Sequence, residues 1–193
     1  MEPRHNKRNQ AVRDTRNDLP ESSRAAAVEL IGPRLAGAID LRLQAKQAHW
    51  NVRGPRFISL HELFDQVASA GSSFQDLLGE RIAQLGGRAA GTVEAVREAT
   101  PLAPYPVDLS WEDDHVRQVT DALSRFAAAA RTGILEAEQL GDDATADIFT
   151  EIARESDKLL WFVEAHLAEP EGAEAQALRD RGDGSEPPAP ARH

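Results

Sequence analysis

The sequence predicts an all-α fold, in which four long helices form a bundle and a long crossover joins the second helix to the third. Apolar residues recur at helical spacing in four segments of the chain. Alanine and leucine are frequent whereas aromatic residues make up only 5% of the sequence, a balance that favours helices over sheets. With 193 residues, 41% of them hydrophobic, the chain is long enough for one domain with a packed core.

The first two helices are expected over residues 23–50 and 58–85, where apolar side chains recur three or four positions apart. The pair Gly86-Gly87 stops the second helix, since glycine is common just past a helix end. Only the short break Arg53-Gly54-Pro55 separates the two segments. They should therefore form an antiparallel hairpin.

The third and fourth helices are expected to form a second hairpin around the break at Gly141-Asp142. The third opens at Ser110, with acidic residues in its first turn where they suit the helix dipole, and the fourth ends before Pro170. The linker over residues 88–110 contains three prolines, is long enough to cross the bundle, and should carry a short helix at residues 92–98. A four-helix bundle with one long crossover is the ferritin-like arrangement.

Both ends of the chain are polar, so we expect a bundle over residues 23–169 flanked by mobile tails at 1–22 and 170–193. The net charge of −10 and the isoelectric point near 5.1 argue against a globular body that binds nucleic acid through bulk charge. The N-terminal tail is nevertheless basic, which leaves two interpretations open, a DNA-binding arm and a solvated tail. Its basic residues are Arg4, Lys7, Arg8, Arg13 and Arg16.

Composition also excludes several classes of site. The sequence contains no cysteine, which rules out disulfides, cysteine nucleophiles and thiolate zinc sites. No apolar run approaches the roughly 18 residues of a membrane span, and the first residues lack the apolar region of a signal peptide. We therefore expect no membrane partner and a cytoplasmic location, with association to the nucleoid if the basic tail binds DNA.

Five potential metal ligands stand out around the first hairpin: His49, His61, Asp65, Asp76 and Glu80. Within the second helix they form two pairs, His61 with Asp65 and Asp76 with Glu80. Each pair is spaced four residues apart, so its members lie on one side of the helix within reach of one metal ion. The two pairs share a single stripe that lies opposite the apolar stripe of this helix.

This placement predicts a site between subunits. The stripe points out of the bundle, unlike the inward ligands of a common di-iron bundle. Asp65 and Asp76 are also about 16 Å apart along the helix axis, too far for one ion. If two copies of the second helix pack antiparallel across a two-fold axis, His61 and Asp65 of one chain meet Asp76 and Glu80 of the other. His49 then lies beside His61 across the hairpin turn, which gives two equivalent sites per dimer.

The ligand set of imidazoles and carboxylates, without thiolate, suits iron, with zinc, manganese or cobalt able to compete. The alternative interpretation is a solvated helix face, in which Glu80 and Arg81 form an ordinary surface pair. One acidic pair alone would favour that alternative. Two pairs on the face away from the core, with a second histidine across the turn, favour metal binding.

The same residues carry a resemblance to a known family. Residues 46–65, KQAHWNVRGPRFISLHELFD, resemble the signature of the Dps family, the DNA-binding proteins from starved cells. Residues 76–87, DLLGERIAQLGG, resemble its second signature, and residues 157–162, DKLLWF, also fit. The resemblance extends over roughly residues 24–168.

This resemblance implies a hollow shell of twelve identical subunits that oxidises Fe(II), preferably with hydrogen peroxide, and stores ferric mineral, thereby protecting DNA from oxidative damage. Matched by position, His49, His61 and Asp65 would bind iron from one subunit, and Asp76 and Glu80 from its two-fold mate. Two irons per site would fit. Trp50 resembles the family tryptophan that traps oxidising equivalents, the alternative being an interface aromatic. Asp143 and Asp147 resemble the family's pore carboxylates, although they could equally complement the helix dipole.

Two rival functions remain open from the sequence. One is a nucleoid protein that binds and condenses DNA and whose metal site is mainly structural. The other is a plain oligomeric helical bundle that binds protein partners. The sequence also contains one Glu-x-x-His motif, from Glu112 to His115, but the inward ferritin arrangement needs two. We therefore expect His115 to be a surface residue of a first helical turn.

Overall fold

The computed structural model describes residues 12–167, which fold into five α-helices. The bundle comprises four long helices, and a short one lies in the crossover: α1 Glu21–Asn51, α2 Phe57–Gln84, α3 Val93–Ala99, α4 Glu112–Gln139 and α5 Asp143–Glu164. A single 3-10 turn, Ala165–Leu167, follows α5. The predicted four-helix bundle with a long crossover is thus confirmed, including the short helix expected at residues 92–98. No helix of the described range is long and apolar enough to cross a membrane.

The bundle consists of two antiparallel hairpins, α1 with α2 and α4 with α5, which are joined mainly by contacts between α1 and α4. Three phenylalanines, Phe64, Phe126 and Phe149, are among the largest fully buried side chains and lie on three different helices. Burying each such side chain contributes about 1.5–3 kcal/mol to folding. The core therefore holds the hairpins together and leaves the opposite face of α2 open to solvent.

The turn between α1 and α2 is fixed by a side chain from α4. Glu112 is buried, and its carboxylate accepts hydrogen bonds from the Arg56 backbone N–H at 2.9 Å and from Arg56 Nε at 2.7 Å. Gly54 has a φ of 146°, and a Cβ at this position would overlap the Glu112 carboxylate. Because only glycine leaves that space free, the sequence Arg-Gly-Pro allows α4 to lock the turn.

Two expectations at the start of α4 need correction. The helix was expected to open at Ser110, but it begins at Glu112, and Trp111 at its N-cap makes no side-chain capping bond. His115 was expected at the surface, but only 1% of it is exposed. His115 is covered by the linker between α3 and α4, from which the Tyr105 hydroxyl contacts the imidazole ring.

Val12 and Arg13, which were expected to belong to a mobile N-terminal tail, contact the bundle. Val12 is buried, and Arg13 donates its backbone N–H to the oxygen of Gly86 at 2.8 Å. Arg24 completes the contact by donating Nη1 to the oxygens of Arg13 and Leu85, each at 3.1 Å. The rest of the predicted N-terminal tail, with Arg4, Lys7 and Arg8, lies outside the described residues. So does the predicted C-terminal tail, residues 170–193.

Candidate metal centre

Two histidines face each other across the α1–α2 turn, where α1 ends and α2 has just begun. The rings of His49 and His61 stack with centroids 3.7 Å apart and planes inclined by 22°. His49 Nδ1 lies 2.7 Å from the backbone oxygen of His61, and His61 Nδ1 lies 2.8 Å from that of His49. A carbonyl oxygen can only accept, so each Nδ1 carries the hydrogen. The lone pair of each neutral ring is therefore on Nε2, the usual arrangement of a metal-binding histidine.

Asp65 follows His61 by one helical turn and is exposed, but it is not free. Lys46 Nζ, from α1, lies 2.7 Å from Asp65 Oδ1. This hydrogen bond lowers the pKa of the Asp65 carboxyl below its ordinary value, with a smaller contribution from the charge of Lys46. The same ammonium group lies 5.7 Å from the centre of the Trp50 ring. The ammonium group of Lys46 thus already forms an ion pair with this carboxylate.

Lys46 is a residue of the site that the sequence analysis missed. It precedes His49 by three residues, and Asp65 follows His61 by four, so an antiparallel hairpin with His49 beside His61 places both charges at one level. The predicted hairpin therefore already implied that Lys46 and Asp65 lie close together. Lysine is not a usual metal ligand, so the spacing of potential ligands alone does not point to it.

Asp76 and Glu80 lie further along α2, on the same exposed face. Within the described residues neither makes an ion pair. The core residues of α2, such as Leu60, Phe64 and Leu78, are fully buried on the opposite side. The structure thus places all the candidate carboxylates of α2 away from the core.

One chain does not complete a metal site. Across residues 12–167, no three histidine, aspartate or glutamate side chains come together in a geometry that would hold a metal ion. The structure brings His49 and His61 together, places Asp65 one turn beyond, and leaves Asp76 and Glu80 apart from them. Within the described residues, the two imidazoles thus have no set of carboxylates that would complete a metal site with them.

Solvent reaches the histidines through an open groove between α2 and α5, with a volume of about 1220 Å³. His49, His61 and Asp65 line one end of the groove. Its α5 wall carries alternating charges: Glu151, Arg154, Glu155 and Lys158. The two half-buried histidines therefore line a groove that is open to solvent.

The other candidate residues lie at the surface. Trp50 is 68% exposed, which is compatible both with a residue that traps oxidising equivalents and with an aromatic residue at a subunit interface. Asp143 and Asp147 are exposed at the start of α5, whereas their neighbour Asp142 is buried as the N-cap and accepts from Thr145 N at 3.0 Å. The helix end is therefore already capped by Asp142. Of the basic residues proposed for DNA binding, Arg13 and Arg16 are described and exposed, and Arg13 Nε lies 3.4 Å from the oxygen of Gly86.

Comparison with known proteins identifies the class first. A family model of the ferritin-like domain matches residues 29–173. The chain is 41% identical over 155 residues to the DNA protection during starvation protein of Agrobacterium fabrum, a match that covers 80% of this chain and 96% of that protein. The chain therefore belongs to the Dps family of ferritin-like proteins. The name of this relative connects it with DNA protection during starvation.

Solved structures show the same relationship. DpsC from Streptomyces coelicolor superposes with a TM-score of 0.80 at 25% identity, covering 85% of this chain and 96% of that one. Dps from Microbacterium arborescens, described as a high iron form, superposes with a TM-score of 0.72 at 33% identity, covering 76% and 95%. The helical architecture described above is thus the architecture of these proteins.

Proposed function

We propose that this protein is a ferroxidase and iron-storage protein, which oxidises Fe(II), preferably with hydrogen peroxide, at sites between subunits. The observation that carries the proposal is the reciprocal hydrogen bonding of His49 and His61, which puts the lone pair of each neutral ring on Nε2. Two imidazoles with carboxylates are a donor set that suits iron, and zinc, manganese or cobalt would compete for it. Iron is the substrate here and is stored as ferric mineral.

The intersubunit arrangement follows from the exposed stripe on α2. Asp76 and Glu80 make no ion pair within the described residues and lie too far along α2 to reach the histidines of their own chain. A two-fold partner with its α2 antiparallel brings these two carboxylates to His49, His61 and Asp65. Closed assemblies of such dimers, twelve chains in the form that the resemblance implies, would enclose the mineral.

The reduction of one hydrogen peroxide molecule to water requires two electrons. Hydrogen peroxide takes one electron from each of two Fe(II) ions and two protons from solvent, its O–O bond breaks, and two Fe(III) and two water molecules result. The protein binds the two ions, orients them through fixed imidazoles, and offsets their charge with carboxylates. Because both electrons arrive together, no hydroxyl radical is released. That would protect DNA without any contact with it.

The net charge of −10 per chain also fits this function, because an acidic shell attracts Fe(II). Asp143 and Asp147, exposed at the start of α5, are our candidates for carboxylates that line an entry pore. In the proposed function the protein acts in the cytoplasm. Binding of DNA by residues 1–19 is the alternative activity, and a gel shift at low salt tests it: if the full-length protein leaves DNA free, the tail is not a DNA-binding arm.

The first test is anaerobic loading with Fe(II), followed by hydrogen peroxide and the ferric absorbance against a protein-free control. We expect rapid oxidation with one peroxide consumed per two irons. The variant Glu80→Ala should lose this activity, whereas Glu138→Gln, which alters an exposed acid on α4, should retain it. Oxidation no faster than in the protein-free control would contradict the proposal and leave DNA binding as the leading function.

Mixing two inactive variants tests whether the sites lie between chains. Chains with Asp65→Ala and chains with Glu80→Ala are unfolded together, refolded together and assembled. In a mixed two-fold pair one site receives both substitutions, and the other receives neither, so activity should return in the mixture. If each site belongs to a single chain, every site carries a substitution and the mixture stays inactive.

A further inference from the structure

The chain contains a single tyrosine, and its hydroxyl is bonded to a buried histidine. Tyr105, in the crossover, places its oxygen 2.5 Å from Nδ1 of His115 in the first turn of α4. Their rings are nearly parallel, inclined by 20° with centroids 6.1 Å apart. His115 is 1% exposed and Tyr105 is half-buried. None of the steps proposed above uses either residue.

The protonation states of the two residues follow from burial. Burial raises the pKa of the Tyr105 phenol well above its ordinary value, so the hydroxyl keeps its hydrogen at neutral pH. Burial also lowers the pKa of His115, although the backbone carbonyls of Leu109 and Asn51 oppose part of the shift. The neutral imidazole therefore accepts the phenolic O–H at Nδ1 and carries its own hydrogen on the buried Nε2.

This geometry makes the phenol easy to oxidise. Removing an electron from a buried phenol would leave a positive charge on the ring, and burying a charge costs free energy. A neutral imidazole at hydrogen-bond distance can take the proton as the electron leaves. The ring then becomes a neutral radical, and the charge moves to the imidazole, whose protonated form the backbone of Leu109 and Asn51 favours.

The pair is also connected to the candidate metal centre through the end of α1. The carbonyl of Asn51, which acts on the His115 ring, belongs to the last residue of α1. Asn51 follows His49 by two residues and Trp50 by one. Two residues of backbone at the end of α1 thus separate His49 from the carbonyl that acts on His115.

We propose that Tyr105 and His115 form a redox pair that supplies the second electron when hydrogen peroxide meets a site holding only one Fe(II). This rests on the proposed ferroxidase function. Peroxide takes one electron from Fe(II) and one from Tyr105, whose phenolic proton passes to His115 Nδ1. The O–O bond breaks, and with two protons from solvent the oxygens leave as two water molecules. The products are Fe(III), a neutral tyrosyl radical and an imidazolium.

A further Fe(II) ion restores the pair. It gives one electron to the tyrosyl radical, the proton returns from His115 to the phenolic oxygen, and a second Fe(III) is formed. The sum of the two steps is the oxidation of two Fe(II) by one peroxide. The pair therefore keeps a half-filled site from releasing a hydroxyl radical, which a one-electron reaction of peroxide would produce.

A purely structural role, in which the hydrogen bond tethers the crossover to α4, predicts no radical. Two variants separate the roles. Tyr105→Phe keeps the ring and removes the redox-active hydroxyl. His115→Gln keeps an acceptor for that hydroxyl but cannot take up its proton. Both are compared with the wild type as assembled, full-length protein, after circular dichroism has shown that helix content is unchanged.

The first measurement contains no iron. Azide radicals generated by pulse radiolysis act as the one-electron oxidant, and absorbance and electron paramagnetic resonance detect the product. We expect a tyrosyl radical in the wild type, its loss in Tyr105→Phe, and a several-fold smaller yield in His115→Gln. If His115→Gln does not assemble, a slower appearance of the wild-type radical in D2O reports the same proton transfer. Absence of a tyrosyl radical in the wild type would overturn the proposal.

The second measurement adds one Fe(II) per site under anaerobic conditions, then hydrogen peroxide, and freezes the sample within milliseconds. We expect the tyrosyl radical in the wild type, and in Tyr105→Phe its loss together with more spin-trapped hydroxyl radical. Iron oxidation without a tyrosyl radical would overturn the role of the pair and leave the ferroxidase function standing. Absence of iron oxidation would overturn both, whereas the iron-free measurement would still show whether the pair is redox-active.

Discussion

His49 and His61 hold each other in one tautomer, because each ring donates its Nδ1 hydrogen to the backbone oxygen of the other residue. Each histidine is therefore both a ligand candidate and the group that orients its partner. Loss of one ring removes a donor atom and frees the other ring to rotate.

We expect His61→Ala to weaken metal binding by more than the loss of one ligand would suggest. Loss of an orienting contact alone costs about 10- to 100-fold in metal affinity. Anaerobic calorimetry with Co(II), which does not oxidise under these conditions, measures the affinity. Glu138→Gln serves as the control, and an affinity for His61→Ala within twofold of that control would show that the pair does not bind metal.

Lys46→Met should strengthen metal binding. The lysine ammonium competes with a metal ion for Asp65 Oδ1, from which it lies 2.7 Å away. Methionine keeps much of the aliphatic length and removes the charge, so the carboxylate is released to the metal and its pKa rises towards its ordinary value. Co(II) calorimetry and an infrared titration of Asp65 provide the two measurements. Lys158→Met, which removes a charge from the far wall of the groove, is the matched control, and equal affinities in the two variants would refute the competition.

Gly54→Ala should destabilise the fold more than Gly141→Ala. Both glycines have positive φ, so both substitutions strain the backbone by about 1–3 kcal/mol. Only at Gly54 would the added methyl group also overlap the carboxylate of Glu112, whereas nothing lies within 4 Å of the corresponding position at Gly141. Thermal unfolding compares the two variants. An equal loss of stability would mean that the contact with Glu112 does not constrain the turn.

The stability of the fold should fall as the pH drops below about 6.5, partly through His115. Burial lowers the pKa of this residue from its ordinary value of 6.5 in the folded chain. The unfolded chain therefore binds the proton first, and its uptake favours unfolding between the ordinary pKa and the lower folded pKa. Denaturant unfolding at several pH values measures the slope. His115→Gln should make the dependence of the unfolding free energy on pH shallower. Part of the dependence should remain, because the pKa of His166 is also lowered in the folded chain.

The fold could be predicted from the sequence because its determinants are local. Helical periodicity and the breaks at Gly54, Gly86 and Gly141 placed the ends of the four helices within a few residues. The packing of residues 12–20 could not be predicted in this way, since it depends on Arg24 reaching Leu85, 61 residues away in the chain. His115 was misplaced for the same reason, because a side chain from the crossover covers a position that a helix by itself would expose.

The candidate site was predictable as a set of residues but not as a geometry. Spacing alone placed His61, Asp65, Asp76 and Glu80 on one face of α2, and the structure places them there. Spacing gave no indication of which ring nitrogen carries the hydrogen, since this depends on backbone oxygens from the opposite helix. The charge of Lys46 beside Asp65 likewise requires the hairpin to be formed.

The histidine pair also has a consequence for folding. Only 12 residues separate the two rings in the chain, so the entropy lost on closing this loop is small compared with that of docking the two hairpins. Such local contacts form early, whereas those between distant segments form late. A newly made chain can therefore form the two-histidine half of the site soon after α2 emerges. In the proposed assembly the acidic half comes from a second folded chain, so iron oxidation has to wait until folding and pairing are complete.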